Sequence, residues 1–372
     1  MKIASFVLFA MCAACASLTT IDPSSPRERE IRVAGTDLSD WKGIVHCHGR
    51  LSHDSTGTLE EIVAACHETG VRFVVMTDHQ TEASIRDGAR GIVDDVLFVV
   101  GAEVRSPQGT ILAFPLQKPL VRWQHAGLLV KEAGEQGALA FVCHAELWKI
   151  PWAGLGLAGA EIVNLHAGAM TASYAGTLAT ALFLPLRSLM ERICVRDDRV
   201  FAEWDRELRT THPFTPVGGD DAHANVRVFG PLGGTIGTYR EVFATLSTHV
   251  LAPRLDEEAL VDAFRRGRTY VVFDVFGDGS GFDFRAVAGD EVHLPGDTVD
   301  GRPGLVLRAR TPAVAAIRLL RDGALAAENV GEALELRDPA PGVYRVEVAR
   351  DGDPWIFSST IRVEPSVDRG GR

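Results

Sequence analysis

The sequence predicts an α/β protein whose parallel sheet is most simply closed into a barrel, followed by a small all-β sandwich. Over residues 43–273, short apolar runs rich in β-branched residues alternate with helix-like segments, the rhythm of a parallel sheet. After about Gly279 the texture changes to closely spaced, alternating strands parted by turns, as in a small sandwich. Histidines and acids stand at the ends of most of the apolar runs, where a parallel α/β barrel gathers its functional side chains.

The elements follow in order. Ile44-Val45 leads into His46-Cys47-His48. Residues 58–69 read as a helix in which Thr58 and Glu61 form a capping box, and Gly70 ends it. Residues 72–76 form a strand with Thr77-Asp78-His79 at its tip, and residues 96–100 lead to Glu103. Residues 126–136 form a helix stopped by Gly137, and 138–143 a strand leading to His144. A strand at 161–164 comes next, then one at 214–217 before Gly218-Gly219-Asp220-Asp221-Ala222-His223. Residues 256–266 are helical and 269–273 form a strand. Residues 167–211 break the rhythm and read as an inserted helical element, placed to act as a lid. The predicted sandwich strands cover 282–286, 304–310, 316–320, 333–336, 342–349 and 356–363.

The termini and composition narrow the class. Residues 1–16 have the charged start, apolar run and small-residue end of a secretory signal, too short to span a membrane. Cys12-Ala13-Ala14-Cys15 resembles a lipoprotein cleavage box with Cys15 lipidated, whereas cleavage after Ala16 releases a soluble protein. Either route exports the chain, to a bacterial periplasm or a lipid anchor in the outer membrane. Residues 17–42 read as a tether, 43–278 as the barrel and 279–366 as the sandwich. The 372-residue chain has a formal net charge of -11 with no run of like charges, which argues against a nucleic-acid partner. A small anionic substrate is compatible with that charge, because bound metals supply positive charge locally. The spacing of Cys47, Cys66, Cys143 and Cys194 fits no disulfide framework. Cys47 and Cys143 read as buried thiols facing away from the neighbouring histidines, as strand alternation dictates.

His46 and His48, two apart on a strand, face the same way. With His53-Asp54, His79, Glu103, His144, Asp221 and His223 they form a ring of imidazole and carboxylate that suits two or three divalent metals. Asp78 is expected behind His79 or capping the next loop. His293 stands alone and reads as a surface residue.

Taken together, His46-Cys47-His48, Ser52-His53-Asp54-Ser55, Thr77-Asp78-His79, Gly101-Ala102-Glu103, His144 and Asp221-Ala222-His223 resemble the PHP (polymerase and histidinol phosphatase) superfamily over roughly residues 43–275. The C-terminal part is similar to the β-sandwich tail of the carbaryl-hydrolase-like branch. The resemblance implies a distorted seven-stranded (β/α) barrel of TIM-like type with metals at the strand C-termini. It implies His46, His48, Glu103 and Asp221 around one metal, and Asp54 or His53 with His79 and His223 around a second. Glu103 then bridges to a third position with His144. Relatives usually carry a histidine after the glycine that follows the glutamate. Here Gly109 is followed by Thr110, a poor ligand beside imidazole, which leaves the third position weak or empty. His166 is the candidate substitute and His125 a weaker one.

The chemistry expected is metal-assisted hydrolysis with zinc, manganese or iron, with Asp221, Glu103 and His223 as candidate catalytic groups. Arg105, Lys149, Arg187 and Arg227 are candidates to hold an anionic substrate. The leading reading is a phosphoesterase. An ester, carbamate or amide hydrolase is the alternative, favoured by aromatic and aliphatic residues at Trp148, Trp152, Phe183 and Leu184. A non-catalytic surface-binding protein is the third.

Overall fold

The computed structural model describes residues 31–171, 186–223, 226–227 and 235–366. The targeting segment with Cys15, most of the tether, and Phe183 and Leu184 lie outside the described residues.

The chain begins with β1 (Ile31–Arg32), paired to β2 (Ser39–Cys47). Residues 39–42 of the expected tether are therefore already in the sheet, because Ser39 to Gly43 pair with a later strand. Next come α1 (Leu59–Thr69), β3 (Phe73–Met76), α2 (Glu82–Arg86), β4 (Gly91–Val93) and β5 (Val96–Val100). The capping box of Thr58 and Glu61 is present, and Gly70 closes α1 at φ 73, a conformation that glycine adopts without strain. Then follow β6 (Ala102–Arg105), β7 (Thr110–Phe114), α3 (Ala126–Glu135), β8 (Leu139–Cys143) and β9 (Gly159–Asn164). The inserted region is helical where described: α4 (Leu165–Thr171), α5 (Leu186–Ile193) and α6 (Asp198–Glu207). After it come β10 (Thr215–Gly219), the short pair β11 (Val226–Arg227) and β12 (Thr235–Ile236), α7 (Tyr239–Phe243), β13 (Ser247–Ala252), α8 (Glu257–Arg265) and β14 (Thr269–Val272).

Apart from the β11–β12 pair, these strands belong to two sheets rather than one uniformly parallel barrel. β2, β3 and β5 are parallel neighbours, as are β8, β9 and β10. β6–β7–β8 and β14–β13–β2 are antiparallel. The departure arises because β6 and β7 are joined by a short turn, which can link only antiparallel strands. The sheets face one another across a shared interior of Val45, Phe73, Val99, Phe114, Phe141 and Val217. Phe264 of α8 packs edge-on to Phe73, Phe114 and Phe141 there. Alternate residues of the same strands, such as Val74, Phe98 and Val142, face the helices, the period of two that a strand imposes.

The C-terminal region is all strand: β15 (Asp283–Ala288), β16 (Glu291–His293), β17 (Thr298–Asp300), β18 (Val306–Arg321), β19 (Ala324–Arg337), β20 (Gly342–Arg350), β21 (Asp353–Ser358) and β22 (Ile361–Glu364). The predicted strands at 304–310 and 316–320 are one element. The ladder of β18 shifts register between Arg310 and Ala315, and Pro312 sits in that irregularity, where no ladder N–H is required. β21 pairs with β14, so this region continues the sheet that carries β2.

Candidate metal centre

The strand tips are stitched together, and the stitches place the ligands. The tip of β10 meets that of β2: Asp220 N donates to Val45 O, and His48 N to Ala222 O at 2.9 Å. Likewise Glu103 N donates to Thr77 O, setting Glu103 beside His79. The backbone is unusual at this point. His46 has φ 72, His144 φ 48 and Asp221 φ 48, a region that non-glycine residues seldom occupy and that costs roughly 1–3 kcal/mol each. Strand alternation therefore does not place His46 and His48 as the sequence pattern suggests. The ladder slips between Val45 and Cys47, and the left-handed turn at His46 brings its ring to 5.0 Å from that of His48.

Nε2 of His46 lies 3.3 Å from Asp221 Oδ1 and 3.5 Å from Glu103 Oε2. Nε2 of His48 lies 3.5 Å and 3.4 Å from the same two oxygens. Both nitrogens are buried without a hydrogen-bond partner. Donor atoms around one tetrahedral ion at about 2.1 Å stand roughly 3.4 Å apart, so this set fits a divalent cation. A second set adjoins it. His79 Nε2 is 2.9 Å and His223 Nε2 3.3 Å from Asp54 Oδ2, and His79 Nδ1 is 3.2 Å from Glu103 Oε2. His144 Nε2 stands 3.6 Å from Glu103 Oε1 and 3.8 Å from Asp221 Oδ2. Of the two alternatives in the 53–54 pair, Asp54 faces the cluster, while His53 is exposed with its ring 4.7 Å from that of His79.

The charges suit cations. Burial opposes ionisation of Glu103, yet the His46, His79 and His48 imidazoles hold it at about 2. Burial likewise opposes Asp221, which His46, His48 and His223 keep well below the usual carboxylate range. Asp54, less buried, is brought to about 2 by the Ser52 hydroxyl and His79. Burial lowers His48 to about 4, leaving its ring nitrogen free to donate a lone pair.

Several expectations are corrected. Asp78 does not support His79; its Oδ1 accepts from Gly49 N at 2.7 Å, tying down the loop that carries Ser52 and Asp54. Cys143 is a buried free thiol, but it faces the interior, with Sγ 3.8 Å from His46 Nδ1. The left-handed turn at His144 breaks the alternation there. His125 caps α3, its Nδ1 accepting from Gly127 N, and stands apart from the ligands. His166 does reach them: its Nδ1 is 3.6 Å from Asp221 Oδ2, and its side chain is 56% exposed. Arg187 pairs with Glu191 and the Val275 carbonyl. Lys149 donates to the Pro107 carbonyl, and Arg105 is exposed at the end of β6. Arg227 lies in β11, and its side chain is outside the described residues. Trp152 is core rather than pocket, 2% exposed and stacked on Phe214.

Glu161 is the residue that sequence reasoning missed. Its Oε1 lies 2.6 Å from His46 Nδ1, and its Oε2 accepts from His144 N at 2.8 Å and Asn164 Nδ2 at 3.1 Å. A Cβ at Gly219 would come within 2.5 Å of Oε1, so the glycine makes room for this carboxylate. The available signal was an acid inside an otherwise apolar strand.

Fold and site define an α/β protein with clusters of histidine and carboxylate able to hold divalent metals. No protein family profile and no curated protein matches the chain. Among solved structures it is similar to a two-domain protein containing a predicted PHP-like metal-dependent phosphoesterase from Bacteroides vulgatus ATCC 8482. The identity is 15%, over 91% of this chain and 100% of that one, with a TM-score of 0.43. It is also similar to a predicted metal-dependent phosphoesterase from Bifidobacterium adolescentis ATCC 15703, at 13% identity over 54% of this chain and 94% of that one, with a TM-score of 0.31.

Proposed function

We propose that the chain is a metal-dependent hydrolase of the PHP type that cleaves phosphoesters. The observation that carries the metal dependence is the pair of buried, unpartnered Nε2 atoms of His46 and His48 facing ionised Glu103 and Asp221. The motif resemblance directs the choice of phosphoester. His46, His48, Glu103 and Asp221 would hold one cation and Asp54, His79 and His223 a second, with His144 and Glu103 at a third position. Zinc, manganese or iron bound there supplies Lewis acidity and lowers the pKa of water. Asp221 is held too far down to be an effective base at neutral pH. His166, exposed and beside Asp221 Oδ2, is better placed to accept a proton and pass it to solvent. Glu161 holds His46 in the tautomer that leaves Nε2 free. Arg105, exposed two residues beyond Glu103 on the same strand, is the candidate cation for a substrate phosphate, since Lys149 already holds the Pro107 carbonyl. Export, with or without lipid at Cys15, is proposed with this function on the N-terminal sequence alone. The mass of the mature N-terminus from a bacterial host tests it.

The test of function combines elemental analysis with a panel of chromogenic phosphates and carboxylic esters. Two or three metals per chain are expected, falling sharply in Glu103→Ala. Phosphate hydrolysis should disappear in His48→Ala and Asp221→Ala and persist in His293→Ala. Hydrolysis of esters alone would replace the phosphoesterase with an ester, carbamate or amide hydrolase. No metal uptake from zinc, manganese or iron would leave a binding protein.

A further inference from the structure

Residues 117–124 cross the surface between β7 and α3, and side chains beneath hold their backbone. Gln136 Oε1 accepts from Gln117 N and Lys118 N at 3.1 and 3.0 Å. Gln80, only 4% exposed, accepts from Leu120 N at 2.7 Å and donates to Leu120 O at 2.6 Å. Glu132 Oε2 accepts from Val121 N at 3.0 Å and Gln124 Nε2 at 2.7 Å. A segment braced in this way is rigid, yet it turns apolar side chains outward. Val121 is 61% and Trp123 68% exposed, with Lys118 and Arg122 exposed beside them. Trp123 also sits at φ 63, an unfavourable conformation for a bulky residue, with no burial of its ring to offset it.

A second exposed apolar segment is tied to the start of α3. The Gln108 carbonyl accepts from Lys149 N at 3.0 Å, and its side-chain oxygen accepts from Ala126 N at 2.9 Å. Gln108 thus joins the start of α3, which follows the braced segment, to the segment that follows His144. That second segment exposes Leu147 at 65% and Ile150 at 37%.

We propose that this braced segment, with its outward Val121 and Trp123, is a docking surface for an anionic lipid bilayer. Tryptophan favours the boundary between headgroups and acyl chains, where its apolar ring is buried and its N–H stays wet. Lys118 and Arg122 flank the apolar tips of Val121 and Trp123 in a chain of net charge -11. An anionic surface repels the bulk of such a chain and attracts this face, which fixes the orientation. Rigid bracing lowers the ordering entropy lost on docking.

The experiment uses the full chain and its tryptophan fluorescence. Trp123 is the exposed tryptophan: Trp41, Trp152, Trp204 and Trp355 are 8%, 2%, 0% and 0% exposed, and Trp148 is part-buried. Vesicles of phosphatidylcholine with phosphatidylglycerol at about 3:1, brominated on the acyl chains, should quench the emission, and neutral vesicles should not. Trp123→Phe should abolish the quenching. In the Lys118→Gln/Arg122→Gln variant the half-maximal lipid concentration should rise about 25-fold, roughly fivefold for each basic residue near the surface. Circular dichroism confirms that both variants fold. The idea is overturned by an unquenched wild type, by quenching that survives in Trp123→Phe, or by equal quenching on neutral vesicles. Attachment through the apolar residues 3–14 leaves Trp123 unquenched and also overturns it, as does self-association that Trp123→Phe relieves. The readout does not involve hydrolysis, so it stands or falls separately from the proposed activity.

Discussion

At the residue scale, Glu161 and His46 form a buried pair whose role can be separated from ligation itself. Glu161 touches the far nitrogen of His46 at 2.6 Å, so it orients the ring and raises its basicity without reaching a cation. Glu161→Gln should keep the fold and lose about 10–100-fold in metal affinity, read by calorimetric titration. Unchanged affinity would show that the carboxylate serves only the strand. A second residue, His212, contributes to acid stability. Burial, then Arg362, lowers it to about 4, and Asp297 partly opposes this. The folded state therefore prefers the neutral ring, and the unfolded chain takes up protons first. Its contribution is present above about pH 6.5 and fades as pH falls towards 4. Urea midpoints between pH 7 and 4.5 should fall less steeply in His212→Gln than in wild type, and parallel curves would refute this.

At the element scale, α6 and its N-cap Asp197 border a small cavity beside Glu161, and the helix is clamped from the C-terminal region. Asp197 and Val200 line that cavity with Glu146 and Glu161. On the other side of the helix, Arg345 of β20 binds Asp205 through two hydrogen bonds at 2.8 and 2.9 Å and Glu347 at 2.5 Å. Its guanidinium lies 4.9 Å from the Trp204 ring. The arginine is 2% exposed, and removing one member of a buried charge group costs about 3–5 kcal/mol. Arg345→Ala should lower stability by that order in denaturant unfolding. Arg345→Lys should recover little of it, because an ammonium cannot reproduce the two-pronged contact. Full stability in the alanine variant would mean that the clamp contributes nothing.

For the whole molecule, the C-terminal region and the metal-site region are one hydrogen-bonded unit. Tyr270, Val271 and Val272 of β14 pair with Ser358, Phe357 and Ile356 of β21. At the junction Asp40 accepts from His249 at 2.8 Å, Tyr270 at 2.5 Å and Gly281 N at 2.8 Å. Removing residues 279–366 would expose the β14 edge and the apolar faces of Leu251, Tyr270 and Val272, a surface prone to aggregation. The truncated chain is expected to be insoluble or degraded in limited proteolysis. A stable, metal-binding fragment would show that the two regions fold independently.

The sequence by itself determined the local elements and the identity of most groups at the centre. Capping and stop residues such as Thr58, Glu61 and Gly70 act within one turn of helix, and imidazoles and carboxylates at strand ends announce their chemistry by type. Tertiary structure decided what depends on distant partners. Glu161 became the support of His46 only because β9 passes beside β2's tip across a space left by Gly219. Asp78 turned to Gly49 across the strand tips, and Cys143 keeps the inward face that it shares with Leu139 and Phe141 while left-handed backbone at His144 turns the next ring away from simple alternation. The antiparallel β6–β7–β8 run and the β14–β21 ladder were likewise beyond local reading. Strand direction and neighbour are set by long-range pairing and the packing of a shared interior, which no single segment encodes.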